Sequence, residues 1–298
     1  MKKCADVIVT YNRKALLREN IEALVNQSYK EHDILIIDNA STDGTKEMIE
    51  ELGISNLKYF NTGENLGGAG GFSYGMKIAM EGGYDYAWIM DDDSVPDENA
   101  LESLVNKAEI INDEFSFFAS LVYWTDKKVL PMNFPRTDYK HIQETYCNYL
   151  YEYRLIPVTG CSFVGCFVNL EVGRKVGLPI AEFFIYGDDV EYTHRLKREK
   201  PAYLDLDSTI EHKAPSNIGA DIVTADAGRI PRFYHQSRNG MYNARKEKAV
   251  FRRILVVLQR MFRVIAKSRG HKFKRIGVLI RGTFAGFFFN PEIKFPEK

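Results

Sequence analysis

The sequence predicts an α/β fold, a mostly parallel, Rossmann-like sheet covered by helices, and three observations carry that prediction. Apolar, β-branched runs alternate with amphipathic segments from the amino terminus onward. Polar residues stand at the carboxyl ends of those runs, where open parallel sheets bind their ligands. A chain of 298 residues with 45% hydrophobic residues can bury a core of the size such a sheet needs.

The elements follow in order. "DVIVTYN" reads as the opening strand, and "ALLRENIEALVNQS" places apolar residues at helical spacing behind it. "DILIIDNAS", "TKEMIEEL" and "LKYFNT" repeat the strand–helix–strand rhythm. "GGFSYGMKIAM" supplies the next helix, "YAWIM" the next strand and "DENALESLVNKAEII" another helix. From about Asp113 to Leu155 the pattern turns irregular and aromatic, as expected of a variable insertion or an acceptor-side region. Regularity returns with a strand in "SFVGCFVNL", a helix in "VEYTHRLKRE" and a strand in "AYLDLDSTI". Residues 214–231, rich in Gly, Pro, Ser and Asp, read as a loop. Beyond them the chain reads as helical to about Arg269 and again near 274–289, with no internal repeat.

Formal charge sums to zero but is unevenly spread. Residues 241–298 hold 15 Lys/Arg against 3 Asp/Glu, leaving 25 against 37 before them, so a net +12 tail follows a net −12 body. We therefore divide the chain into a body, 1–240, and a basic amphipathic helical region, 241–298. The body splits into a nucleotide-binding half, 1–112, and an acceptor-side half, 113–240. Cys4, Cys147, Cys161 and Cys166 are too few and too irregular for a disulfide framework or a zinc site, which fits a reducing cytosol. The start of the chain passes directly into "ADVIVTYN" without the segments of a secretory signal. The longest uncharged segment, "LIPVTGCSFVGCFVNL", carries Pro157 and two glycines and reads as core strands rather than a membrane span.

Chemistry concentrates in "YAWIMDDDSVPDENA", where a buried strand ends in Asp91, Asp92 and Asp93. Three adjacent carboxylates repel one another and resist desolvation, so a positive charge must offset them. In extended chain Asp91 and Asp93 point one way and Asp92 the other. Two carboxylates on one side suit a hard divalent cation, Mn2+ or Mg2+. The alternative is an acidic helix N-terminus, since a helix follows. Just before the strand, "NTGENLGGAGGFSYGM" opens a helix with Gly67, Gly68, Gly70 and Gly71, which lets backbone approach a phosphate or sugar or simply makes a turn.

"VIVTYNRKALLRENIEALVNQ", "ILIIDNASTDGT", "NTGENLGGAGGF", "WIMDDDS" and "FFIYGDDVEYTHRL" together resemble the family 2 glycosyltransferases of the GT-A fold. The glycine-rich string is most similar to the galactofuranosyltransferases, with the rhamnosyltransferases near them. The resemblance covers residues 5 to about 245. It implies nucleotide contacts from Thr10, Tyr11, Asn12, Arg13, Asp38, Asn39, Asp91 and Asp92, with UDP foremost. It implies donor sugar and diphosphate contacts from Asn65 and the four glycines, and metal ligation by Asp91, Asp93 and His212; separately, the aromatic and basic helix "RFYHQSRNGMYNARK" offers Arg238 and Asn239 to the donor phosphates or to a lipid diphosphate. "DNASTDGT" is also a good turn sequence, so Asp38 has a structural reading beside the functional one.

Inverting glycosyl transfer needs a base for the acceptor hydroxyl. "YGDDVEY" offers Asp188 and Asp189, and the resemblance places the base on Asp189. Asp188 as an N-cap with Glu191 three positions on is the competing, structural reading. His194 and His235 are weaker candidates than His212. In the tail, Val250, Phe251, Ile254, Leu255, Leu258, Met261, Phe262 and Ile265 recur at helical spacing among arginines and lysines. This is either a core-facing helix or a face for an anionic membrane surface; no nucleic-acid-binding motif accompanies the charge.

The resulting expectation is a cytoplasmic enzyme held peripherally at the inner face of the cell membrane, able to oligomerise. It moves galactofuranose from UDP-galactofuranose to a glycan or polyprenyl-diphosphate-linked acceptor. The alternatives are rhamnosyl transfer from dTDP-rhamnose and a non-catalytic sugar-nucleotide scaffold.

Overall fold

A computed structural model describes residues 1–138 and 151–297. Part of the irregular region, residues 139–150 with Cys147, lies outside the described residues.

The first half alternates as its periodicity dictates: β1 (Cys4–Thr10), α1 (Lys14–Val25), β2 (His32–Asp38), α2 (Thr45–Leu52), β3 (Leu57–Asn61), α3 (Gly67–Glu81) and β4 (Tyr86–Asp91). All pairings within the order β3-β2-β1-β4 are parallel. The register sets Thr10 opposite Asp38, Asp38 opposite Asn61, and Val9 opposite Asp91. The polar strand ends therefore stand level along one edge of the sheet. Each β1 residue is buried, because helices cover both faces and successive side chains enter opposite cores. Ile8 and Trp88 pack beneath α1, whereas Val7, Val9 and Ile89 pack beneath α3.

Beyond β4 the sheet becomes mixed. β5 (Ser94–Pro96), α4 (Ala100–Ile110), β6 (Phe117–Trp124), β7 (Arg136–Thr137), β8 (Leu155–Gly160), β9 (Cys166–Asn169), α5 (Leu170–Val176), α6 (Asp188–Lys197) and β10 (Ala202–His212) complete the body. β9 runs antiparallel between β4 and β6, while β6 and β10 are parallel. Two expectations are corrected here. "SFVGCFVNL" yields a strand only over Cys166–Asn169. The stretch read as irregular contains β6, eight residues long and mostly buried. A strand buried on both faces has no alternation to betray it, and its Phe118 stacks instead on Phe115 with centroids 4.1 Å apart.

Three helices follow, α7 (Arg232–Lys246), α8 (Val250–Lys267) and α9 (Lys272–Phe288). The division expected at residue 240 falls within α7. After α9 the chain returns to the body, where Leu178 donates to the Lys294 carbonyl at 2.8 Å. Among the described residues, no helix is long and apolar enough to cross a membrane.

Candidate active site

The three aspartates are sorted by the turn that follows β4. β5 pairs antiparallel with the end of β10, setting Ser94 opposite His212, and the Lys213 N–H donates to the Asp93 carbonyl at 2.8 Å. One ligand atom each from Asp91, Asp93 and His212 thereby falls within 4.8 Å of the others. Nε2 of His212 is 3.1 Å from Asp93 Oδ1, and its Nδ1 is 3.0 Å from Asn133 Oδ1. Asp92 faces the other way, accepting from Thr10 Oγ1 at 2.8 Å. Arg13 spans the two sides, with Nη1 2.7 Å from Asp93 Oδ2 and 3.2 Å from Asp92 Oδ1.

Electrostatics follow from this arrangement. Burial pushes the Asp92 carboxyl up to about 6, against the pull of Arg13 and Thr10. Burial also disfavours the charged forms of Asp93 and His212, but the hydrogen bond and charge they share outweigh it. The Asp93 carboxyl is lowered and the His212 imidazole raised. Asp91 is left over: burial and the Asp93 charge push it up to about 8, and no hydrogen bond meets its carboxylate among the described residues. Arg13 therefore supplies part of the charge the sequence demanded, and Asp91 still lacks it. Two carboxylates and one imidazole nitrogen around such a deficit fit a divalent cation.

Above the cluster lies a cavity of about 480 Å³. Thr10, Tyr11, Arg13, Asn39, Asn65, Gly67 and Gly68 line it with the three aspartates. The glycine run divides in two. Gly67 has φ +71, and a Cβ there would lie 2.2 Å from the Phe184 carbonyl oxygen. Gly71 is buried under the sheet, where a Cβ would meet Val9 Cγ1 at 2.5 Å. Gly70 and Gly71 are thus interior residues of α3, outside the cavity lining.

On the acceptor side, α6 starts with Asp188 after Gly187, which is the N-cap residue at φ +84. The capping box that was the competing reading is not formed, since Gly187 is the N-cap residue and Glu191 pairs with Arg195 at 2.8 Å. Burial and the neighbouring Asp189 charge push the Asp188 carboxyl up to about 7. Burial also raises Asp189, whose Oδ1 accepts from the Val190 N–H at 2.7 Å. Asp188 is enclosed, whereas Asp189 opens onto a cleft of about 690 Å³ beside α7 and α8. Asp189 also shares a smaller pocket, about 180 Å³, with Asn133, the residue that touches His212.

Sequence comparison agrees with this geometry: the family described as glycosyl transferase family 2 matches residues 7–168, more than half of the chain. The chain is a family 2 glycosyltransferase. It is 29% identical over 207 residues to a galactofuranosyltransferase, GlfT1, of Mycolicibacterium smegmatis, covering 65% of this chain and 65% of that protein's length. Over 111 residues it is 31% identical to a GalNAc(5)-diNAcBac-PP-undecaprenol beta-1,3-glucosyltransferase of Campylobacter jejuni, covering 36% and 35% of the two chains. In structure it is similar to GalNAc-T7 with UDP, GalNAc and Mn2+, with TM-score 0.59, 15% identity, and 80% and 48% of the two chains covered. The fold is GT-A.

Within this glycosyltransferase, several expected residues already make internal hydrogen bonds. Asp38 is fully buried, and its oxygens accept from the Ser41 N–H at 2.9 Å and the Tyr59 hydroxyl at 2.7 Å, so its turn reading is realised. Asn12, at φ +52, accepts from the Thr42 N–H at 2.7 Å and lies outside the cavity lining. Arg238 donates to the Glu182 carbonyl at 2.6 Å and lies 3.9 Å from the Phe289 ring centre, while Asn239 donates to three carbonyls of the 183–186 turn. That turn delivers Phe184 and Ile185 to the cavity, and Arg232 joins them. Sequence reasoning missed all three, although "FFIYGDD" contains Phe184 and Ile185 and "RFYHQSRNGMYNARK" begins with Arg232. His194 pairs with Glu247, and His235 packs on Phe184 with ring centres 5.2 Å apart.

Proposed function

We propose that the enzyme transfers galactofuranose, with inversion, from UDP-galactofuranose to a lipid-linked or cell-surface glycan acceptor, with Mn2+ or Mg2+ held by Asp91, Asp93 and His212. The observation that carries this reading is the Asp91 carboxylate without a hydrogen-bond partner among the described residues, close to Asp93 and His212 and lining, with Asp93, a cavity whose other walls bear Thr10, Tyr11, Asn65 and Gly67. Similarity to a galactofuranosyltransferase supports the donor, and similarity to an enzyme named for an undecaprenol-diphosphate acceptor supports the acceptor class.

In this reading the nucleotide lies against Thr10, Tyr11 and Asn39, and the diphosphate lies between Gly67–Gly68 and the aspartates. A bound divalent cation supplies positive charge for the departing diphosphate. Arg13 bridges Asp92 and Asp93, so that these two carboxylates are oriented before the donor arrives. Asp189, the more exposed acid of the pair, takes the acceptor hydroxyl proton, and the neighbouring Asp188 sets the pH at which it does so. The enzyme works at the inner face of the cell membrane, against which α8 and α9 turn their basic and apolar residues.

The test is incubation with Mn2+ and a panel of UDP- and dTDP-sugars, reading nucleotide release and donor-dependent thermal stabilisation. UDP-galactofuranose is expected to give both. Preference for dTDP-rhamnose would replace the donor, and stabilisation by no member of the panel would remove the reading.

A further inference from the structure

The largest of these cavities, the 690 Å³ cleft, is walled by α6, α7 and α8 and carries four arginines, Arg136, Arg252, Arg253 and Arg260. Two of them are poorly compensated. Arg253 donates through Nη2 to the Gln236 carbonyl at 3.0 Å, and its buried Nε has no hydrogen-bond partner. Arg260 donates to the Gln236 side-chain oxygen at 2.8 Å. Among the described residues, neither guanidinium has a carboxylate within ion-pair distance. Burial and the adjacent Arg260 charge pull Arg253 down to about 10. Partly buried cations side by side repel one another, and among the described residues only Asp221 acts on Arg260 from beyond ion-pair distance, so a bound anion would relieve the pair. At Gly240, on α7, a Cβ would lie 2.2 Å from Arg253 Nη2, so the glycine leaves room for that guanidinium.

We propose that this cleft binds the diphosphate of a lipid-carried acceptor, with Arg253 and Arg260 at its base and Arg136 and Arg252 at its mouth. The inference rests on the acceptor class proposed above and adds its place in the molecule. Guanidinium groups in pairs match phosphate oxygens bidentately. Asp189 lines the same cleft, so a diphosphate anchored there sets the sugar it carries beside the acid. The other carboxylate of the lining, Glu247, is engaged by His194. Helix α8 also offers a track for the lipid: Phe251 and Leu255, next to Arg252 and Val256 of the lining, are 75% and 50% exposed.

The experiment titrates the purified enzyme with farnesyl diphosphate in EDTA, and separately with UDP in Mn2+ and with phosphatidylglycerol vesicles. Wild type is expected to bind farnesyl diphosphate. The double variant Arg253→Gln/Arg260→Gln is expected to bind it at least about tenfold more weakly, one well-made charged contact being worth that much. UDP affinity and vesicle binding should change less than about twofold. Unchanged farnesyl diphosphate affinity in the double variant overturns the proposal. So does an equal loss of vesicle binding, which would assign the arginines to bulk lipid headgroups. Should the variant not fold, phenylglyoxal labelling of wild type decides. Farnesyl diphosphate should protect Arg253 and Arg260 but not Arg269, and uniform labelling overturns the site. The donor reading fails separately, through absence of UDP binding in Mn2+.

Discussion

Nε2 of His212 stands 3.1 Å from Oδ1 of Asp93, although the two are 119 positions apart in the sequence, because β5 folds back onto the end of β10. Asn133 accepts from Nδ1–H, which directs Nε2 at the aspartates: it donates to Asp93 as the imidazolium and offers a lone pair once that proton is displaced by a cation. Replacing a group that orients a metal-bound histidine usually lowers metal affinity about 10–100-fold. Asn133→Ala is expected to weaken Mn2+ binding by that factor and His212→Ala by at least as much, read from the electron paramagnetic resonance of free Mn2+. Undiminished binding in His212→Ala would show that the ion sits elsewhere.

Asp188 and Asp189 make opposite predictions. The folded-state value of Asp188, about 7, exceeds the ordinary carboxylate range of about 4. Between those pH values the folded protein holds a proton that the unfolded chain has released, so this group's contribution makes stability fall as pH rises from about 4 to 7. Asp188→Asn should therefore raise the Tm at pH 8 and change it little at pH 4. Asp189→Asn should lower kcat by about 10²–10⁴-fold with UDP affinity retained. The rate in wild type should climb with pH through an apparent value belonging to the coupled pair. A Tm for Asp188→Asn below wild type at pH 8 would refute the burial argument, and full turnover by Asp189→Asn would move the base.

Much of this was legible in the sequence, for identifiable reasons. The first four parallel strands were readable because each is an apolar run ended by a polar residue, and those ends are level in the sheet. The aspartate turn was readable because adjacent carboxylates are conspicuous. β6 was not, since burial on both faces removes alternation. Arg13 was noticed as a nucleotide contact, but its place between Asp92 and Asp93 depends on α1 lying beside the turn, which no local pattern encodes. Arg238 was expected to meet phosphates, yet tertiary folding directs its hydrogen bonds to the Glu182 and Phe183 carbonyls.

The glycine run gives a packing test. A methyl group at Gly71 would lie 2.5 Å from Val9 Cγ1, forcing α3 away from β1, and overpacking of this kind costs about 1–3 kcal/mol. At Gly68 a Cβ meets nothing within 4 Å. Gly71→Ala should lower stability to urea by that amount, while Gly68→Ala should hold or raise it, since alanine is the better helix former by about 1 kcal/mol. Equal destabilisation by the two would mean that the run serves one purpose throughout.

Of the two readings of the tail, a core-facing helix and a membrane face, the sequence expectation took the second, and the exposure of α8 makes it testable. Val257 and Val264 are the buried residues of α8, whereas Leu258, Phe262 and Ile265 are 53%, 71% and 54% exposed, with Arg252, Lys267 and Arg269 also in solvent. A stripe of this kind beside cations gains from anionic lipid both by apolar burial and by about 1 kcal/mol per basic residue near the surface. Leu258→Glu/Phe262→Glu should leave the Tm almost unchanged, because exposed positions contribute within about 0.5 kcal/mol each. The same variant should lose cosedimentation with phosphatidylglycerol vesicles, and raising salt should weaken wild-type cosedimentation as the surface charges are screened. Vesicle binding that survives the double substitution would return α8 to the role of a helix awaiting a protein partner.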